Sequence, residues 1–206
     1  GSPPSLDSFE KISLFKSSLE QRSRNAAVEI KSFDEAGNKI SGSGAYVVYK
    51  RQHYILTAAH VVVGSPTAMI VGDKEVIIGD VVFADAYSDV ALISIAGMIN
   101  RDPIKWRTSG RKNIGDKIIY SGYPNAMGLL TIKGYIAGYD SFMTVIHSYV
   151  WRGASGSLVL DEQGKIVGIV SSVAIGTDVT GFPAIIEDVG LVVPVYAVEE
   201  FLKTQK

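Results

Sequence analysis

The sequence predicts an all-β body, a sandwich or a barrel, with a helix at each end. Short apolar runs of strand length recur at about ten-residue intervals, bounded by Gly, Asp, Asn and Ser. Twenty-one glycines among 206 residues supply the turns between them. Helical spacing is confined to the two ends. Many short strands punctuated in this way stack as a sandwich or close as a barrel.

The elements follow in order. Residues 6–24 carry Phe9, Ile12, Phe15 (with Leu14) and Leu19 at steps of three and four, the stripe of an amphipathic helix. Docking on the body is its expected role, an oligomer contact the alternative. From Ala26 the period becomes two: Val28, Ile30 and Phe33 alternate with polar residues, and Asp34-Glu35-Ala36-Gly37-Asn38 reads as a hairpin turn. Strands are expected at 43–49 and, past the polar break Lys50-Arg51-Gln52, at 54–57. Further β-like runs are 68–71, 75–83, 90–95, 117–121, 129–139, 143–148, 157–160, 165–172 and 190–193. The stretch 100–116 is polar and reads as a link between two halves. Residues 194–202 read as a closing helix, and 174–188 as an inserted surface loop, with a lid or a partner contact as the other readings. The expected division is 1–25 (an expression remnant and the helix), 26–110 (first β unit) and 111–206 (second β unit with the closing helix).

Composition removes several function classes. A hydrophobic content of 47% argues for a packed body rather than disorder. A net charge of −1 gives no electrostatic footprint for nucleic acid. With no cysteine there is no disulfide, no thiolate nucleophile and no cysteine-based metal site. No apolar run reaches the roughly 20 residues that span a bilayer. Gly1-Ser2 resembles a cloning remnant, so a leader could have stood upstream, and the compartment stays open. No cofactor or metal motif is present: HExxH and the P-loop are both missing.

Three phrases carry chemistry. Leu56-Thr57-Ala58-Ala59-His60-Val61-Val62 sets a histidine after an apolar run, where the small Ala58 and Ala59 leave room for a turn that presents the imidazole to a cleft. Alone, such a histidine is an ordinary core or surface residue. Imidazole changes charge near neutral pH, so it can accept a hydroxyl proton and return it to a leaving amine. Ser88-Asp89-Val90-Ala91-Leu92-Ile93 sets an aspartate before another apolar run. It reads either as a turn residue capping the strand or as the carboxylate that fixes the tautomer of His60. Asp85 competes for that role but lacks the apolar run. Arg152-Gly153-Ala154-Ser155-Gly156-Ser157 is a small-residue loop, inert or catalytic. In the catalytic reading Ser155 is the nucleophile, and the N–H groups of Gly153 and Ser155 form a two-donor oxyanion hole. Gly156 is then expected to admit the substrate chain. No histidine follows Ser155, which excludes the hydrolase order Ser, Asp, His; a subtilisin order would need βαβ signals that are absent. His53 is expected to be solvated in a polar turn. His147 reads as a strand residue bonded to a neighbour, with a substrate contact as the alternative.

In the order His60, Asp89, Ser155, and in the phrase Thr57-Ala58-Ala59-His60, the chain resembles the chymotrypsin-like serine proteases. It resembles their HtrA/Deg branch more closely, over roughly residues 28–201. Ser41-Gly42-Ser43-Gly44, Gly122-Tyr123-Pro124 and Gly190-Leu191-Val192-Val193-Pro194-Val195 are similar to that branch as well. The resemblance implies two antiparallel six-stranded β-barrels, with His60 and Asp89 on the first and Ser155 on the second. It implies an endopeptidase acting on polypeptide without a cofactor, membership of a group that forms homo-oligomers and often adds PDZ domains, and a periplasmic or extracytoplasmic site. The specificity pocket would be walled by Tyr149–Arg152 and by Ser171, Ser172 and Val173, with the latter strand pairing with extended substrate. Tyr149 stands where an aspartate would select Lys or Arg, so small or medium apolar side chains are expected.

Two departures stand out. Ala154 replaces the Asp or Asn usual in the family, so the loop must be held by other contacts or ordered by substrate. Ser157 replaces the usual second glycine. Two alternatives to an active endopeptidase follow: a protease-fold module that binds extended peptides with little or no cleavage, and a processing enzyme that cuts its own polyprotein.

Overall fold

The structure, a computed structural model, describes residues 18–177 and 179–206. Strands dominate, and they form two closed six-stranded barrels. The first is built from β1 (Ala27–Phe33), β2 (Lys39–Tyr49), β3 (Gln52–Thr57), β4 (Thr67–Val71), β5 (Val76–Asp85) and β6 (Val90–Ser94). Their order is β1-β4-β5-β6-β3-β2, and β2 closes on β1 with Ala27 opposite Ala45 and Phe33 opposite Lys39. The alternation of Val28 and Ile30 (buried) with Glu29 and Lys31 (half-buried) is what turns one face of β1 inward. A two-residue strand, β7 (Ile104–Lys105), lies parallel on β2 within the stretch expected to be a polar link. Ile104, 3% exposed, and Trp106, 9% exposed, supply the reason: two apolar residues in that stretch are taken into the core.

The second barrel comprises β8 (Lys117–Gly122), β9 (Leu130–Asp140), β10 (Met143–His147), β11 (Leu158–Asp161), β12 (Ile166–Thr177) and β13 (Pro183–Val193), in the order β10-β13-β12-β11-β8-β9. The expected insertion at 174–188 is largely not a loop. β12 and β13 run on into it and pair there, Ile175 opposite Ile185 and Thr177 opposite Pro183. The backbone pairing of the two strands runs through the segment that was expected to be a loop.

Helix α1 (Ser18–Ala26) ends where β1 begins. Phe9, Ile12, Leu14 and Phe15, four of the five residues expected to form its apolar stripe, lie outside the described residues. The described turns dock mainly by polar contacts to the second barrel: Ser23 Oγ to Ser121 Oγ at 2.7 Å, Arg24 to Thr131 at 2.8 Å and Glu20 to Lys133 at 2.6 Å. Helix α2 (Tyr196–Thr204) leaves the second barrel and returns to the first, burying Val198 and Leu202 in the same apolar cluster as Leu92 and Ile93. Its Phe201 ring stacks at 5.0 Å on Phe83 of β5. Among the described residues no helix is long and apolar enough to cross a membrane.

Candidate active site

The imidazole of His60 stands on a single 3-10 turn, Ala59–Val61, that follows β3. Ala58 and Ala59 beneath it are 0% and 4% exposed, and Val61 and Val62 anchor the turn in the core. Any larger side chain at 58 or 59 would meet packed neighbours, so the histidine is the one residue of the turn directed outward. Asp89 closes the turn between β5 and β6 in the left-handed region, φ 55°, which Asp and Asn tolerate better than other non-glycine residues. Asp85, the competing carboxylate, is spent on that turn: it accepts from Ser88 Oγ at 2.5 Å and from the Tyr87 N–H at 3.2 Å.

His60 Nδ1 lies 2.8 Å from Asp89 Oδ2 and 3.0 Å from Oδ1, and Oδ1 also accepts the His60 backbone N–H at 3.0 Å. Ser171 Oγ donates to Oδ2 at 2.6 Å. Burial works to raise the Asp89 pKa. Hydrogen bonds from His60 and Ser171, with the imidazole charge, outweigh it and hold the carboxyl below its ordinary value of 3.8. The carboxylate is thus ionised and directed at the nitrogen that leaves Nε2 free to act as a base.

Ser155 lies in the loop between β10 and β11. Among the described residues its hydroxyl makes no hydrogen bond to His60; it donates to the Ser171 carbonyl at 3.1 Å. Gly153 has φ 95°, and a Cβ there would come within 2.4 Å of the Tyr123 carbonyl, so only glycine fits. In a trans peptide the C=O and the N–H point in opposite directions. The Arg152 carbonyl is held by Asn125 N–H at 2.6 Å, and the Ala154 carbonyl by Ser157 N–H at 3.0 Å. The N–H groups of Gly153 and Ser155 therefore face the other way, and among the described residues no protein acceptor takes either of them. Two free donors beside a serine can hold a developing oxyanion.

Ala154 is fully buried in the core of the second barrel, at the position where the family that the chain resembles usually carries Asp or Asn. At Gly156 a Cβ would stand 1.9 Å from the Ser43 carbonyl and 2.4 Å from Thr57 Oγ1, so the position needs glycine whatever the substrate does. It lets the two barrels touch.

A cleft of about 370 Å³ brings His60, Asp89, Ser155, Arg152, Ser171 and Ser172 together, with Val150 and Trp151. Tyr149, expected in the wall, does not line it. Its carbonyl accepts from the buried Tyr120 hydroxyl, and its ring is 40% exposed. The next two residues of that segment line the cleft instead. Val173 follows on β12 opposite Gly190, its side chain outside the described part. His147 stacks on Tyr135 at 5.0 Å, the neighbour contact expected of a strand residue. His53 is not in a solvated turn; it lies in β3 and bonds the Tyr46 hydroxyl. Asn125 and Ser43, which hold the loop, carried no such role in the sequence. The left-handed φ of 54° at Asn125 is a conformation asparagine favours, and Asn after Tyr123-Pro124 was the available signal.

A family model for the trypsin-like peptidase domain matches residues 42–169, a range that includes His60, Asp89 and Ser155. Serine protease Do-like HtrA of Bacillus subtilis (strain 168) is 26% identical over 182 residues, covering 79% of this chain and 40% of that protein. Serine protease HtrA-like of Staphylococcus aureus (strain USA300) is 28% identical over 196 residues, covering 82% and 24%. The chain spans less than half the length of these curated relatives. Among solved structures, the serine endoprotease from Yersinia pestis matches with a TM-score of 0.72 at 20% identity, covering 93% of this chain and 67% of that one, a likeness of fold.

Proposed function

The chain belongs to the trypsin-like peptidase family, and on that premise we propose that it is a serine endopeptidase working through His60, Asp89 and Ser155. The observation that carries the reading is the His60–Asp89 pair, 2.8 Å apart and lining one cleft with Ser155. Ser155 Oγ rotates off the Ser171 carbonyl and gives its proton to His60 Nε2 as it attacks the scissile carbonyl carbon. Asp89 stabilises the resulting imidazolium. The N–H groups of Gly153 and Ser155 hold the oxyanion. His60 then protonates the leaving amine, which frees the acyl-enzyme for attack by water through the same base.

The substrate is an extended or unfolded polypeptide, paired as an added strand on β12 from Ser171. Val150, 6% exposed, and Trp151 give the cleft an apolar wall. This favours cutting after small or medium apolar residues.

A fluorophosphonate probe tests the reading. It is expected to label Ser155 in the native protein, and the label to vanish in Ser155→Ala. A second reading, a module that binds extended peptides without cutting, draws on the Ser155–Ser171 hydrogen bond, which occupies the hydroxyl. It predicts a folded protein that takes up no label with substrate peptide present, yet binds an uncleaved peptide by calorimetry.

A further inference from the structure

Ser43, in β2 of the first barrel, is fully buried and uses all its polar atoms on the site. Its N–H donates to the Ser155 carbonyl at 2.8 Å, and its Oγ donates to the Gly153 carbonyl at 2.7 Å. The same Oγ accepts the Tyr123 N–H at 3.0 Å, and its carbonyl accepts Thr57 Oγ1 at 2.8 Å. Thr57 itself starts the segment that leads to His60. One hydroxyl thus ties together the Gly153–Ser155 loop and the turn whose Asn125 N–H pins the Arg152 carbonyl.

We infer that Ser43 is the positioning residue of the oxyanion loop, reaching across the barrel interface to do what the methyl group of Ala154 cannot. The inference rests on the peptidase reading of the site. Gly153 N–H faces the cleft only while the Arg152 carbonyl stays on Asn125, and Ser43 Oγ holds Gly153 on one side of that contact and Tyr123, two residues before Asn125, on the other. Ala154 offers only a methyl group. Glycine at 153 also has more backbone freedom than any other residue, so the plane needs an external hold. Without Oγ, the Tyr123 N–H and the Gly153 carbonyl lose their partner together, and the loop gains a second arrangement in which the plane turns over.

The test compares native protein, Ser43→Ala and Ser43→Cys by residue-resolved amide exchange and by peptide kinetics. In Ser43→Ala the amides of Ala154 and Ser157 are expected to exchange about tenfold faster, the effect of one net hydrogen bond, while Val159 in β11 stays within about twofold. Ser43→Cys, a weaker donor of similar size, is expected to fall between, and it supplies the comparison should Ser43→Ala not fold. With a peptide substrate, kcat is expected to fall about 10- to 100-fold with KM little changed, because the contact serves the transition state. Unchanged loop exchange overturns the inference, as does acceleration spread evenly over both barrels. If the native protein cleaves nothing but the local exchange effect is present, Ser43 keeps its positioning role and the peptidase reading fails instead.

Discussion

Asp89 holds His60 at two points, through Oδ2 to Nδ1 at 2.8 Å and through Oδ1 to the backbone N–H at 3.0 Å. The double hold fixes both the ring tautomer and the turn that carries it. Asp89→Asn keeps the left-handed backbone and the shape of the side chain but can present an N–H to Nδ1, which favours the wrong tautomer. The expected result is a loss in kcat on the order of 10³- to 10⁴-fold with little change in KM. Steady-state kinetics on a peptide substrate checks it; a loss under tenfold sinks the role given to Asp89.

The same carboxylate links stability to pH. Its folded pKa lies below 3.8, so the folded state favours the ionised form. That contribution is complete above the unfolded value and is lost as pH falls through the lower, folded one. Thermal midpoints of native protein and Asp89→Asn are therefore expected to differ by a constant amount from about pH 7 to pH 5, and to converge below about pH 4. A gap that stays the same down to pH 2.5 contradicts the hold on the ionised carboxyl of Asp89.

The Ser155 hydroxyl sits on the Ser171 carbonyl, so attack requires a rotation about its χ1. A crystal structure of the adduct with a peptidyl phosphonate is expected to show Oγ turned away from Ser171, with the phosphoryl oxygen within hydrogen-bond reach of the Gly153 and Ser155 N–H groups. An adduct oxygen facing solvent would remove the oxyanion hole from the mechanism.

Much of this was legible in the sequence, and the failures have one cause. Side-chain chemistry is written in the residue types, so His60, Asp89 and Ser155 stood out by their phrases, and the structure has all three lining one cleft. Strands were legible where alternation was strong, as at Val28 and Ile30. Contacts made by the backbone are not written there. That Asn125 N–H takes the Arg152 carbonyl, or that Ser43 bridges Tyr123 and Gly153, depends on how two barrels meet. The same holds for Gly156, whose missing side chain was assigned to substrate and admits the Ser43 carbonyl. The β12–β13 extension was lost because Gly176, Gly181 and Pro183 signal a break, while pairing with a neighbouring strand overrode them.

Ser157 offers a stability test inside the active-site loop. Its Oγ is buried and, among the described residues, has no hydrogen-bond partner. A buried hydroxyl without a partner costs about 1–3 kcal/mol in desolvation. Ser157→Ala removes that cost and leaves the Ser157 N–H on the Ala154 carbonyl. It is expected to be neutral or to stabilise by about 1 kcal/mol, with the Ser155 labelling rate unchanged. Urea unfolding checks it; destabilisation beyond about 1 kcal/mol means the hydroxyl has a partner after all.

α2 follows the second barrel in the chain and buries Leu202, 0% exposed, in an apolar cluster that Leu92 and Ile93 of the first barrel share with Leu160 and Ile169 of the second. It therefore straps the barrels whose meeting forms the cleft. Leu202→Ala deletes a buried isobutyl group and leaves a cavity, at a cost of about 2–5 kcal/mol. Because the loss falls on the strap and not on the reacting groups, the labelling rate of Ser155 at a temperature where the variant is folded is expected to match the native protein. A slower rate in the folded variant would mean that the strap also sets the distance between His60 and Ser155. A cost below about 1 kcal/mol would mean that the helix contributes little to holding the barrels together.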